Sequence, residues 1–175
     1  MSSISSISSM PLSTLLIAAG CALAGAMMIF RALLVVVRVE GTSMAPALRD
    51  GQRVLALRHV PGPLFRRGWI ALIAPSGAAP DGGPPLDRPT TGPVFLKRIR
   101  GLPGDRIETS LDELQPPVRA YHREAYGADG RRVWSIAPGQ VFVQGDGPGS
   151  DSRAWGPLPW SAVRAIVITP LGGGR

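Results

Sequence analysis

From Pro11 to Phe30 the chain reads PLSTLLIAAGCALAGAMMIF and carries no charge. Its apolar residues cover every side of a helix instead of one stripe, which an ordinary surface helix of a soluble domain does not do. About twenty such residues span the roughly 30 Å hydrocarbon core of a bilayer. The pattern predicts a transmembrane helix over 11–31, closed by Arg31. Before it, residues 2–9 are Ser and Ile only, and residues 1–10 are expected to be a short disordered start. A cleaved secretory signal would be shorter and follow a positive stretch, which is missing here. A lipoprotein signal ending at Cys21 would not need the apolar run to continue to Phe30.

After Leu33 the period shortens to that of strands separated by turn residues. LLVVVRVEG opens the series, followed by QRVLALR (52–58) after the Asp50-Gly51 turn, and by GWIALIA (68–74). The Pro- and Gly-rich stretch 76–93 is expected to be a flexible surface loop. VFLKRIR (94–100) is the next strand and GLPGD turns the chain. Residues 107–137 are polar and mixed, with a small hairpin expected around the Gly127–Gly130 turn. GQVFVQGD (139–146) and AVRAIVIT (162–169) complete the set. The expected fold is mainly β, a domain of short antiparallel sheets over 33–175 behind one N-terminal helix.

Composition alters this picture at a few points. The net charge is +7, but no basic run exceeds two residues, so the excess reads as a dispersed surface charge that suits lipid and not nucleic acid. One cysteine rules out an internal disulfide. His59 and His122 have no spacing partner, so no metal or other cofactor is expected. Of the 19 basic residues, one alone is lysine, Lys97. Within VFLKRIR, Phe95, Lys97 and Ile99 share one face of the strand, with Leu96, Arg98 and Arg100 on the other. Burial on the apolar side lowers a lysine pKa, and a neutral amine is a general base. Arginine stays protonated and cannot serve in this way. A lysine that merely escaped the arginine bias would look the same in the sequence. A base needs a nucleophile, and Ser43 follows the first strand in VEGTSMAPALRDG, two residues after Gly41, where backbone N–H groups can approach an oxyanion. Taken alone, Ser43 reads equally as a turn or cap residue.

Four segments, in order, are similar to those of the type I signal peptidases, the serine peptidase family S26 with a Ser/Lys dyad. EGTSMAPALRDG resembles the family's Ser-x-Met box. RRGWIALI resembles the strand that follows, KRIRGLPGD the lysine box, and VFVQGDGPGSDSRAWGPL the third box. The resemblance covers roughly residues 12–170. It implies Ser43 as nucleophile, Lys97 as general base and the Ser43 N–H, helped by Gly41, as oxyanion hole. Met44 would lie beside the substrate cleft. Arg98 would pair with Asp146 and Asp151 with Arg153, bracing the site, and Ser150 would orient the Lys97 amine. The third box departs from the family pattern: Ser150 abuts Asp151, and Gly147 stands where asparagine is usual. Trp69 likewise replaces a common aspartate.

The resemblance implies a membrane-anchored endopeptidase that removes signal peptides from exported preproteins at Ala-x-Ala sites. Its partners would be those preproteins and membrane lipid. Its catalytic domain would lie on the extracytoplasmic side of a single-pass protein, although Arg31 and Arg38 by themselves favour the cytoplasm for that flank. Rival readings are a dedicated relative that matures one exported peptide or pilin, and an inert scaffold that binds preproteins without cutting. A self-cleaving repressor type would lack the anchor. An α/β-hydrolase fails because Ala45 breaks G-x-S-x-G.

Overall fold

A computed structural model describes residues 11–74 and 94–171. The proposed loop 76–93 and the start 1–10 lie outside them. Helix α1, Leu12–Leu33, has 22 residues, none buried, with Arg31 as its only basic residue in the last turn. It is long and apolar enough to cross a membrane, about 33 Å at the helical rise. It runs without a loop into strand β1, Leu34–Arg38.

The remaining strands are β2 (Arg53–Arg58), β3 (Ile70–Ile73), β4 (Phe95–Gly101), β5 (Arg106–Ser110), β6 (Arg131–Ser135), β7 (Gln140–Gln144), β8 (Leu158–Pro159) and β9 (Val163–Leu171). Two short helices, α2 (Pro116–His122) and α3 (Ser152–Trp155), interrupt them. Seven strands form one sheet in the order β1-β2-β9-β3-β4-β7-β8, and β5 pairs with β6 as a separate ribbon. Every pairing among the described residues is antiparallel. The expected mainly antiparallel fold behind one helix is what the chain adopts. The hairpin expected around Gly127–Gly130 differs: its strands are β5 and β6, but α2 lies between them. Pro116 and Pro117 start that helix, where a missing N–H costs nothing.

Alternation explains which residues are inside. Val54 and Ala56 of β2, and Ala71 and Ile73 of β3, are fully buried, as a period of two requires. One core gathers Phe65, Ala71, Ile73, Ile99, Val141, Val143, Ala162 and Ile166. A second gathers Val39, Met44, Leu48, Val54 and Leu96. Strand β4 serves both, Ile99 in the first and Leu96 in the second. It is paired on each side, with Lys97 opposite Ala71 of β3 and Ile99 opposite Val143 of β7. A side chain on β4 is therefore fixed by two neighbouring strands and two cores.

Ile99→Ala is expected to cost about 2–5 kcal/mol, read by chemical denaturation of the full chain in detergent. A loss well under 1 kcal/mol would show that β4 does not join the two halves of the domain.

Candidate active site

Residues 39–52 form a closed loop between β1 and β2. The Val39 N–H donates to Gln52 O at 2.7 Å and the Gly51 N–H to Val39 O at 2.9 Å. Met44 and Leu48, 1% and 2% exposed, anchor the loop in the second core. Ser43 therefore sits on a turn whose next residue is packed. Gly41 adopts φ +81°, a left-handed conformation that favours glycine, and its N–H donates to Asp50 Oδ1 at 2.8 Å. This alters one expectation. The Gly41 N–H is already taken, so the turn offers the Ser43 N–H, which donates to no other described residue. Met44 lines a 270 Å³ cavity beside Ser43 together with Val37, Val39, Leu72, Phe95 and Leu96.

Lys97 is 2% exposed, on a central strand. Burial pushes its pKa below the ordinary lysine value. The nearby Asp151 carboxylate opposes that shift, and Arg153 adds to it. Ser43, Gly41, Lys97 and Ser150 line a common cleft of about 520 Å³, with Phe95 and Trp155 as its aromatic walls. No hydrogen bond joins Ser43 Oγ to Lys97 Nζ. The two flank Gly149, where an added methyl carbon would lie 3.3 Å from Ser43 Cβ and 3.5 Å from Lys97 Nζ. The Ser150 hydroxyl lines the cleft and makes no hydrogen bond to Lys97.

The surrounding charges are paired. Arg98 holds Asp146 through Nε–Oδ1 at 2.8 Å and Nη2–Oδ2 at 2.5 Å, and donates to Gly68 O at 2.6 Å. Asp151, fully buried, accepts from Arg153 Nε and Nη2 at 2.9 and 2.8 Å. It also accepts the N–H groups of Gly145 and Arg153 at 2.9 and 3.0 Å. Both of its oxygens are occupied. Asp151 thus acts on Lys97 as a nearby charge and not as a direct ion-pair partner.

Three contributions were not read from the sequence. Buried Ser152 accepts the Val143 N–H at 3.0 Å and ties α3 to β7. Buried Tyr126 donates to Arg153 O at 2.8 Å. The third is the loop 145–149, whose glycines at 145, 147 and 149 pack against the Ser43 turn. The Gly147 N–H donates to Ser43 O at 2.9 Å, and a methyl carbon at Gly147 would lie 2.5 Å from Thr42 O. A methyl at Gly145 would lie 2.7 Å from Ser43 O and 3.4 Å from Lys97 Nζ. The spacing of glycine at every second residue was the available signal. The asparagine usual at position 147 would not fit this close approach without a shift.

A hydroxyl and a buried amine in one cleft, with a free N–H beside the hydroxyl, form a site suited to acyl transfer on an antiparallel β frame. A family model described as signal peptidase, peptidase S26, matches residues 12–171, and the chain belongs to that family. Signal peptidase I U of Bacillus subtilis (strain 168) is 31% identical over 123 residues, 62% of this chain and 58% of that protein. Signal peptidase I of Bacillus licheniformis is 30% identical over 124 residues, 62% of this chain and 59% of that protein. The matched stretch thus spans less than two thirds of either relative's length.

Gly147→Ala is expected to lower stability by about 1–3 kcal/mol, because backbone must move to admit the methyl. Denaturant melts of the two proteins measure it. Equal stability would mean that the loop does not rest on the Ser43 turn.

Proposed function

We propose that this chain is a membrane-anchored serine endopeptidase that removes signal peptides from exported preproteins. The observation that carries the reading is the convergence of the half-buried Ser43 and the buried, pKa-lowered Lys97 on one cleft. Ser43 Oγ attacks the scissile carbonyl carbon and Lys97 Nζ takes its proton. The Ser43 N–H donates to the oxyanion that forms. As the C–N bond breaks, Lys97 returns the proton to the leaving amine. Lys97 then deprotonates a water that hydrolyses the acyl ester. Arg98–Asp146 and Arg153–Asp151 hold β4 and α3 in place around these atoms.

The 270 Å³ cavity beside Ser43 is walled by Val37, Val39, Leu72 and Leu96, an apolar lining that would receive the apolar side chains of an Ala-x-Ala site, and the substrate would lie extended as an added strand. Helix α1 would anchor the chain in lipid and place β1 at the membrane surface. The domain from Leu33 onward would then stand on the extracytoplasmic side, where signal peptides emerge. The names of the two Bacillus relatives support the same activity.

The test is cleavage of an Ala-x-Ala precursor by the full chain in detergent. Ser43→Ala and Lys97→Arg, each folded by circular dichroism, are expected to lower kcat/KM by about three orders of magnitude or more. Cleavage that survives Ser43→Ala would refute the mechanism. Binding without cleavage by the wild type would identify a preprotein-binding scaffold.

The pH dependence has a defined sign. Because the amine must be neutral, kcat/KM is expected to rise with pH along a limb whose midpoint lies below the ordinary lysine value of about 10.4. Between the lowered folded-state pKa and that ordinary value the unfolded chain binds more protons, so stability also rises with pH there. A pH–rate profile flat across this range would remove Lys97 from the base role.

A further inference from the structure

A second groove shares the Trp155 wall with the Ser43 cleft. Trp155, tilted against Phe95 at 5.8 Å between ring centres, lines both. The second groove has a volume of about 480 Å³ and is lined by Tyr121, His122, Glu124, Arg132, Trp134 and Trp155 among others. Arg132 and Trp134 are two apart on β6 and share its half-buried face, while Arg131, Val133 and Ser135 are exposed. The Arg132 guanidinium lies 3.7 Å above the Trp134 ring. That ring is itself fixed, by its Nε1–H donated to Thr109 Oγ1 at 3.0 Å and by contact with Phe142 and Gly156. Arg132 forms no ion pair among the described residues, and Glu124 in the same groove does not reach it. The cavity behind the glycine loop also adjoins the cleft, but its arginines are paired, Arg153 with Asp151 and Arg100 near Asp146.

Position in the fold identifies the occupant. β1 continues from α1 at one edge of the sheet, and the β5–β6 ribbon packs on β7, five strand spacings or about 24 Å away. A preprotein whose signal segment lies in the membrane beside α1 passes Ser43 and leaves toward this ribbon. The geometry points to the groove of Trp155, Trp134 and Arg132 as a subsite for the first residues of the mature chain, with Arg132 receiving an acidic side chain. This rests on the peptidase reading above. A cation held over an aromatic face without a carboxylate partner attracts a carboxylate and repels lysine.

The test uses two precursors identical through the cut, with the first six mature positions rich either in aspartate and glutamate or in lysine. The ratio of their kcat/KM values is measured for the full chain in detergent, and it does not depend on the folded fraction. The acidic precursor is expected to be favoured by about three- to fivefold. Arg132→Glu is expected to reverse the preference, and Arg132→Gln or high salt to bring the ratio to one. Equal cleavage of both precursors by the wild type, or a preference unchanged by Arg132→Glu and by salt, overturns the subsite and leaves the peptidase reading intact. Cleavage of neither overturns both. An unchanged ratio together with weaker binding of Arg132→Glu to anionic vesicles would assign the groove to lipid and overturn the proposal.

Discussion

Taking the Lys97 ammonium out of water is the constraint on which the rest of the site depends. Burial disfavours the charged form, and nothing nearby compensates in full, because both Asp151 oxygens are held by Arg153 and by two backbone N–H groups. Among the described residues Lys97 has no direct carboxylate partner, the usual remedy for a buried lysine. The pKa of the amine is lowered instead, the direction a general base needs. Arginine would keep its proton in the same place. In a chain with 19 basic residues, the proposed base role would give the single lysine a physical reason.

The frame around Lys97 keeps this arrangement at a fixed geometry. Ala71 lies opposite it on β3 and is fully buried, so a long side chain fits where a larger neighbour would collide. Ile99 and Leu96 fix β4 in two cores. Met44 fixes the Ser43 turn in the second of them, and the glycines of 145–149 let the third loop lie against that turn. Lys97, Ser43 and the loop thus come from three segments far apart in sequence. Each is held by packing on its own side, so the cleft exists without bound substrate.

Much of this was legible along the chain. Alternation in VFLKRIR placed Lys97 with Ile99, and both are buried. The apolar run ending at Arg31 corresponds to α1, and the strand segments recur as β1 to β4, β7 and β9. What was not legible depends on contacts distant in sequence. Leu96, assigned to the polar side with Arg98 and Arg100, is buried because the loop bearing Met44 and Leu48 covers that face. Helix α2 has a polar, proline-led sequence that gives no clear period. The engagement of the Gly41 N–H by Asp50 follows from loop closure nine residues away. The proximity of Gly149 to both Ser43 and Lys97 follows from the meeting of β4 and β7.

Because the chain has one lysine, protein grown with carbon-13-labelled lysine gives a single lysine side-chain signal, and its Cε shift reports the protonation of Lys97 alone. The titration midpoint is expected below the ordinary value of about 10.4, and lower still in Asp151→Asn, where the opposing charge is gone. A midpoint at or above that value in folded protein would mean a charged, solvated lysine and would contradict the account of Lys97 as a neutral base.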